Sequence, residues 1–386
     1  MNIGATSLPI CVLQLVVMPL VASRIADEYG LLVTLVAVFT LFTGTFGNSI
    51  NNVRLIQHDS YEKRGDWGDF SAIAIVSCIL SSAFVMGLTA YYCNGLSEAL
   101  VMMGILSFLV TAREYLIVAY RIELNFKAIF INNAILSFGY LLGLALFWAS
   151  GVWELVYLSG YILSLIYVVR STSLWKEPLS FTAHFRETLT SVAHLSLSNF
   201  LSNAITYADR LLIYPLLGAY SVSIYYVATL FGKMASMIVT PVNGVILSYL
   251  AKYSKKPDAL FKMTLSLGLL ICIFGYGATM LCSRPVLGFL YPQFVDEAMA
   301  YVYVTTATAF IRVLVTIVNP YVLKFFPMSW QTKISGLYLA IYVVACFGLY
   351  YPLGLMGFCI GVLLTMLVKL AVTLFVYFRA NTLSVA

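Results

Sequence analysis

The sequence predicts an all-α polytopic membrane protein of about twelve transmembrane helices, and three observations lead there. Apolar residues make up 61% of the chain and charged residues only 10%, at a mean hydropathy of +0.93; soluble domains carry about 25% charged residues. The apolar residues gather in runs long enough to cross a bilayer, which takes roughly 20 residues. Lys and Arg crowd into every second loop between those runs.

Twelve runs qualify, at about 3–22, 31–53, 70–92, 97–120, 129–149, 153–170, 194–217, 222–248, 263–282, 299–323, 334–351 and 355–378. Backbone groups in lipid must bond within their own segment, so each run is a helix. The first has no basic stretch ahead of its apolar run Leu8–Val21, so no cleaved signal is expected. Pro9 and Pro19 in the first span and Pro241 in the eighth mark kinks. Gly139/Gly143 and Gly357/Gly361 have the spacing of a GxxxG packing face. The longest connection, 171–193, divides the chain into a six-helix lobe (1–170), a linker, and a second six-helix lobe (194–386). Phe181, Phe185, Leu189 and Val192 recur there at helical spacing beside Lys176 and Arg186, as in an amphipathic surface helix. Loops after even-numbered spans hold fifteen Lys and Arg, and loops after odd-numbered spans only Arg24 and Arg284. By the positive-inside bias both termini and the linker are cytoplasmic.

Charge and hydroxyls inside the spans carry the chemistry. On the seventh span Ser196, Asn199, Asn203, Thr206 and Arg210 recur at steps of three and four, so they share a face. On the eighth Thr229, Lys233, Ser236, Thr240 and Asn243 do the same, and on the tenth Thr305, Thr308, Arg312, Thr316 and Asn319. Seven ionisable residues lie within spans: Arg113, Glu114, Asp209, Arg210, Lys233, Arg312 and Lys369, a net charge of +3. A cation at a helix centre costs ~2.5–3.5 kcal/mol on insertion scales, so these residues need water, a partner or a ligand. Two readings stand for each cation: it lines an electropositive cavity suited to an anionic passenger, or it clamps helices and reaches headgroups. The neighbouring Ser, Thr and Asn residues divide in the same way between cavity lining and interhelical hydrogen bonds. Glu114 and Asp209 either balance charge or couple transport to a H⁺ or Na⁺ gradient. Deeper tyrosines such as Tyr207, Tyr214, Tyr225 and Tyr226 either pack or stack on sugar rings.

The sequence lacks HExxH, GxSxG and Walker A patterns, and its seven cysteines form no CxxC pair. With three histidines, no metal site and no cofactor are expected, and the scattered basic residues do not suit nucleic acid. A transporter rather than an enzyme is expected.

Particular stretches resemble a known family. PLVASRIADEYGLLVTLVAVFTLFTGTFGNSINNVRLI resembles the opening of polysaccharide (O-antigen, Wzx-type) flippases, which share a superfamily with drug-extruding MATE proteins. ADRLLIYPLLGAYSVSIYYVATL is similar to the family's pattern through Asp209, Arg210, Gly218 and Tyr225, and LGFLYPQFVDEA to its loop between spans nine and ten. The chain departs from the family at its N-terminus, where a longer lead with a basic residue is usual. The resemblance implies two six-helix lobes enclosing a V-shaped cavity lined by spans one, two and four and by seven, eight and ten. It implies passage of undecaprenyl-diphosphate-linked oligosaccharide across the bacterial inner membrane for O-antigen, lipopolysaccharide or similar surface glycan. Arg210, Lys233 and Arg312 would meet the diphosphate, and a polysaccharide polymerase and chain-length regulator would be partners. The alternatives are a MATE-like exporter of small molecules, a lipid II flippase, and a membrane polymerase or ligase. The last usually has a large outer loop, whereas the longest here is about 283–298.

Overall fold

A computed structural model describes residues 2–64, 68–95, 98–250, 253, 256–327 and 329–379, with the side chains of 2–6, 64, 237–238, 240–245, 247–248, 329 and 331–332 left out. Among the described residues helices are the only regular structure. The chain divides into two compact units, Met1–Pro215 and Leu216–Ala386.

In the first unit, α1 (Asn2–Val12), a π-helical turn (Leu13–Val17) and α2 (Met18–Arg24) form the first span. The widened turn has a cause: Pro19 has no N–H to donate, and its ring crowds the carbonyl of Leu15 four residues back. Then follow α3 (Tyr29–Arg64), α4 (Asp69–Tyr92), α5 (Glu98–Leu116) with its short continuation α6 (Val118–Ile122), α7 (Phe126–Ser150) and α8 (Glu154–Ser171). The Asn125 side chain caps α7 by accepting from Ala128 N at 3.1 Å, and left-handed Gly151 ends it. The GxxxG face of α7 packs on α8 so closely that a Cβ on Gly139 would come within 2.5 Å of Gly160 Cα. At 36 residues α3 is about 54 Å long, well beyond a hydrocarbon core of about 30 Å. Its last turns therefore project past the bilayer.

The seventh span opens α9 (Phe185–Ala228), and the unit boundary falls inside this helix. The apolar spacing of Phe185, Leu189 and Val192 thus lies in the opening turns of α9, with Val192 buried and Phe181 exposed just ahead of it. The second unit continues through α10 (Leu230–Leu250), α11 (Asp258–Leu290), α12 (Val295–Phe325) and α13 (Ser329–Arg379).

Ten helical stretches among the described residues are long and apolar enough to cross a membrane, against twelve expected. Two of them, Phe185–Ala228 and Lys333–Arg379, contain a glycine with non-helical backbone, Gly218 (φ 80°, ψ 174°) and Gly354 (φ 56°, ψ −133°). Those glycines stand where the sequence places the turns between spans seven and eight and between eleven and twelve. The turns are so tight that helix resumes without a loop.

Candidate functional site

In the first unit Arg113 on α5 is a buried charge within a span, only 5% exposed. Its Nε donates to Ser164 Oγ (2.7 Å) on α8, and its Nη2 to Asn132 Oδ1 (2.6 Å) and Asn133 Oδ1 (3.2 Å) on α7. Its Nη1 pairs with Glu114 Oε1 at 2.6 Å. Asn132 in turn donates to the Ser164 carbonyl at 3.1 Å, so three helices are tied through one guanidinium. Glu114 keeps 22% of its side chain exposed.

The polar stripe of the seventh span meets α3. Asn199 Nδ2 donates to Ser49 Oγ at 2.8 Å, and Asn203 Nδ2 to Thr45 Oγ1 at 3.2 Å. Thr206 turns back on its own helix, donating to the Ser202 carbonyl. Asp209 accepts from the Arg210 backbone N–H, and the Arg210 guanidinium lies 5.8 Å from the Tyr207 ring centroid.

A second polar group in this unit escapes sequence reading. Asp69, wholly buried at the start of α4, accepts from Tyr61 OH (2.9 Å) and from the backbone N–H of Thr182 (2.7 Å) in the linker. Arg54 on α3, 1% exposed, pairs with Glu177 Oε1 at 2.5 Å and lies over the Phe70 ring. Thr188 joins the same cluster, donating to Gln57 Oε1 at 2.9 Å. Burial raises the Glu177 carboxyl above its ordinary range, and the Arg54 charge opposes that rise. The cluster ties residues 177–188 to the projecting end of α3.

The second unit differs in its charge. It holds eleven Lys and Arg but only three acids, Asp258, Asp296 and Glu297. All three are engaged near helix ends: Asp258 with Lys256 and Tyr377, Asp296 with Arg284, Glu297 with Tyr220. The in-span cations sit on aromatic rings or stand exposed. Lys233 Nζ lies 3.0 Å from the Tyr226 ring centroid and donates to the Tyr226 carbonyl at 3.3 Å. Lys369 Nζ lies 4.5 Å from the Tyr338 centroid, and Arg312 is exposed. One apolar cluster fixes their helices together, with Ala235 and Val239 of α10, Val313, Leu314 and Ile317 of α12, and Leu370 of α13. The hydroxyls of Thr229, Ser236, Thr308 and Thr316 donate to carbonyls three or four residues back, as isolated hydroxyls in lipid must. The side chains of Thr240, Pro241 and Asn243 lie outside those described.

A family model described as "Polysaccharide biosynthesis protein" matches residues 25–293. The chain belongs to this family. No curated protein matches the sequence. The chain also shares its fold with solved transporters. The lipid II flippase MurJ, in an inward closed conformation, aligns with a TM-score of 0.74 at 16% identity, over 96% of this chain and 86% of that one. An inward-facing multidrug resistance MATE family transporter of the MOP superfamily gives 0.62 at 12%, over 98% and 94%. The Vibrio cholerae MATE transporter VcmN, in the bent form, gives 0.57 at 12%, over 98% of each chain. The fold is the one that these solved proteins share, and its ten long apolar helices among the described residues make this a multi-pass membrane protein.

Proposed function

We propose that this protein is a flippase for undecaprenyl-diphosphate-linked oligosaccharide repeat units, carrying O-antigen or a similar surface glycan from the cytoplasmic to the periplasmic leaflet of a bacterial inner membrane. The observation that carries the reading is the second unit's three in-span cations, in a unit whose only acids are engaged near helix ends. Such a surface suits a diphosphate and repels the small cations that MATE-like export would bring. Family membership supplies the polysaccharide context. Lys233 and Arg312 on spans eight and ten receive the headgroup, while the lipid tail stays in the bilayer. The six-helix lobes 1–170 and 194–386, joined by the cytoplasmic linker 171–193, alternate access to it. Glu114 and Asp209, the in-span carboxylates, are the candidates for H⁺ or Na⁺ coupling, and the polymerase and chain-length regulator receive the flipped unit.

The test is a strain lacking the gene. Complete, unpolymerised lipid-linked repeat units accumulating on the cytoplasmic leaflet, with surface glycan lost, is the expected result. Normal glycan with new sensitivity to cationic drugs would make the protein an exporter. Lysis with lipid II accumulation would make it a lipid II flippase.

A further inference from the structure

Three asparagines, Asn48, Asn51 and Asn52, stand near the end of the second span, in a run where lipid alone would disfavour them. With Gly44 they lie on one face of α3, at steps of three and four. That face has a wall on each side. On one, α9 reaches Ser49 and Thr45 through the Asn199 and Asn203 amides. On the other, Gly47 lets α5 in so closely that a Cβ there would meet Glu114 Cβ at 2.7 Å, and the Asn51 amide donates to the Glu114 carbonyl at 2.6 Å. Gly44 is the floor between them. A Cβ on it would lie 3.5 Å from Asn203 Nδ2 and 3.8 Å from Asn48 Nδ2, so both amides border the same small space.

The charges around this trough are engaged: Glu114 pairs with Arg113, and Arg121 donates to Asn51 Oδ1 and, at 3.0 Å, to Asn52 Oδ1. Helix clamping accounts for Asn51, Asn199 and Asn203, whose amides bond across to another helix. It does not account for Asn48, which is exposed. Lipid does not account for Asn48 either, because the lipid-facing surface of this unit is apolar, as Ile75, Val76, Ile79 and Leu80 of α4 show. An amide offers two donors and an acceptor without charge, which matches hydroxyls that both give and take a hydrogen bond.

We propose that this trough of the first unit binds an uncharged sugar ring, with Asn48 and Asn52 as the residues that touch it. A phosphate calls for cations, and the amides that border Gly44 carry no charge. A site built to hydrogen-bond hydroxyls also discriminates against a ligand that lacks them, because its polar groups are then left unpaired. The inference deepens the flippase reading and rests on it for the source of the sugar.

The test uses the full-length protein in nanodiscs with two probes: lipid-linked oligosaccharide extracted from the cells that make the protein, and polyprenyl diphosphate without sugar. The parent should bind the sugar-bearing probe more tightly. Asn48→Ala and Asn52→Ala should each narrow that preference about three- to tenfold, as loss of uncharged hydrogen bonds does, and leave the sugar-free probe unchanged. Gly44→Leu, which fills the floor without removing an amide, should narrow it too. A parent with no preference, or folded variants that keep it in full, would overturn the trough. So would an equal loss on both probes, because a merely structural role weakens the two alike. Should Gly44→Leu or Asn52→Ala unfold, Asn48→Ala decides, since that side chain is exposed. Normal glycan in the deletion strain with the sugar preference intact would reject the flippase reading and leave the trough. Glycan lost there, with no preference in the purified protein, would reject the trough and leave the flippase.

Discussion

Replacing Arg113 by glutamine should cost stability while leaving diphosphate binding intact. The change removes three hydrogen bonds to Ser164, Asn132 and Asn133 and strips Glu114 of its ion pair. Hydrogen bonds between membrane helices average ~0.6 kcal/mol, so the three contribute about 2 kcal/mol together. Breaking a buried pair by deleting one partner costs about 3–5 kcal/mol, toward the low end here because the Glu114 side chain is 22% exposed. These two ranges overlap in what they count, and a loss of about 3 kcal/mol is expected. For a unit of this size that is a fall in Tm of about 6–12 °C, measurable by thermal unfolding of the purified protein in nanodiscs. Arg113→Gln combined with Glu114→Gln should recover part of the loss, because no orphaned charge remains. If the single variant melts like the parent but no longer binds polyprenyl diphosphate, Arg113 faces the ligand and this reasoning is wrong.

Three further outcomes are expected. Gly68→Ala should free the linker, because Gly68 has φ +137° and a Cβ there would lie 2.7 Å from both the Pro178 carbonyl and Ser180 N; faster tryptic cleavage at Lys176 and Arg186 would register it. Asp69→Asn, which swaps a carboxylate accepting from Tyr61 and Thr182 for an amide, should act in the same direction, and deuterium exchange at Thr182 measures the change. Asn199→Ala with Asn203→Ala should lower stability by about 1 kcal/mol, at ~0.6 kcal/mol per membrane hydrogen bond. A loss several times larger in thermal unfolding would mean that these side chains do more than join α9 to α3.

The spans were legible because lipid forces apolar residues into long runs, and the turns at Gly218 and Gly354 fell where those runs paused. Periodicity also put Asn199 and Asn203 on one face. It could not say what that face meets, because Ser49 and Thr45 stand about 150 residues earlier in the chain. For the same reason Arg113 read as one more in-span cation: Asn132 and Ser164, which surround it, are a span or more away. Asp69 does not stand out in the sequence because it sits at the edge of a span, where an acid at a helix start is ordinary. Only its complete burial against Tyr61 and Thr182 sets it apart. The charge contrast of the second unit, by comparison, is written in the sequence, since acids simply stop after Glu297.

The bonds of α3 to later parts of the chain bear on how the protein is made. Ser49 waits 150 residues for Asn199, Thr45 waits 158 for Asn203, and Arg54 waits 123 for Glu177. At about 5–20 residues per second, a ribosome takes roughly 6–30 s to deliver those partners. For that interval α3 is already threaded with its polar face unclaimed, and the insertion machinery has to shelter it. The second span to be translated is thus among the last of its unit to be finished, and a ribosome stalled near residue 180 would leave α3 as the exposed surface that quality control meets first.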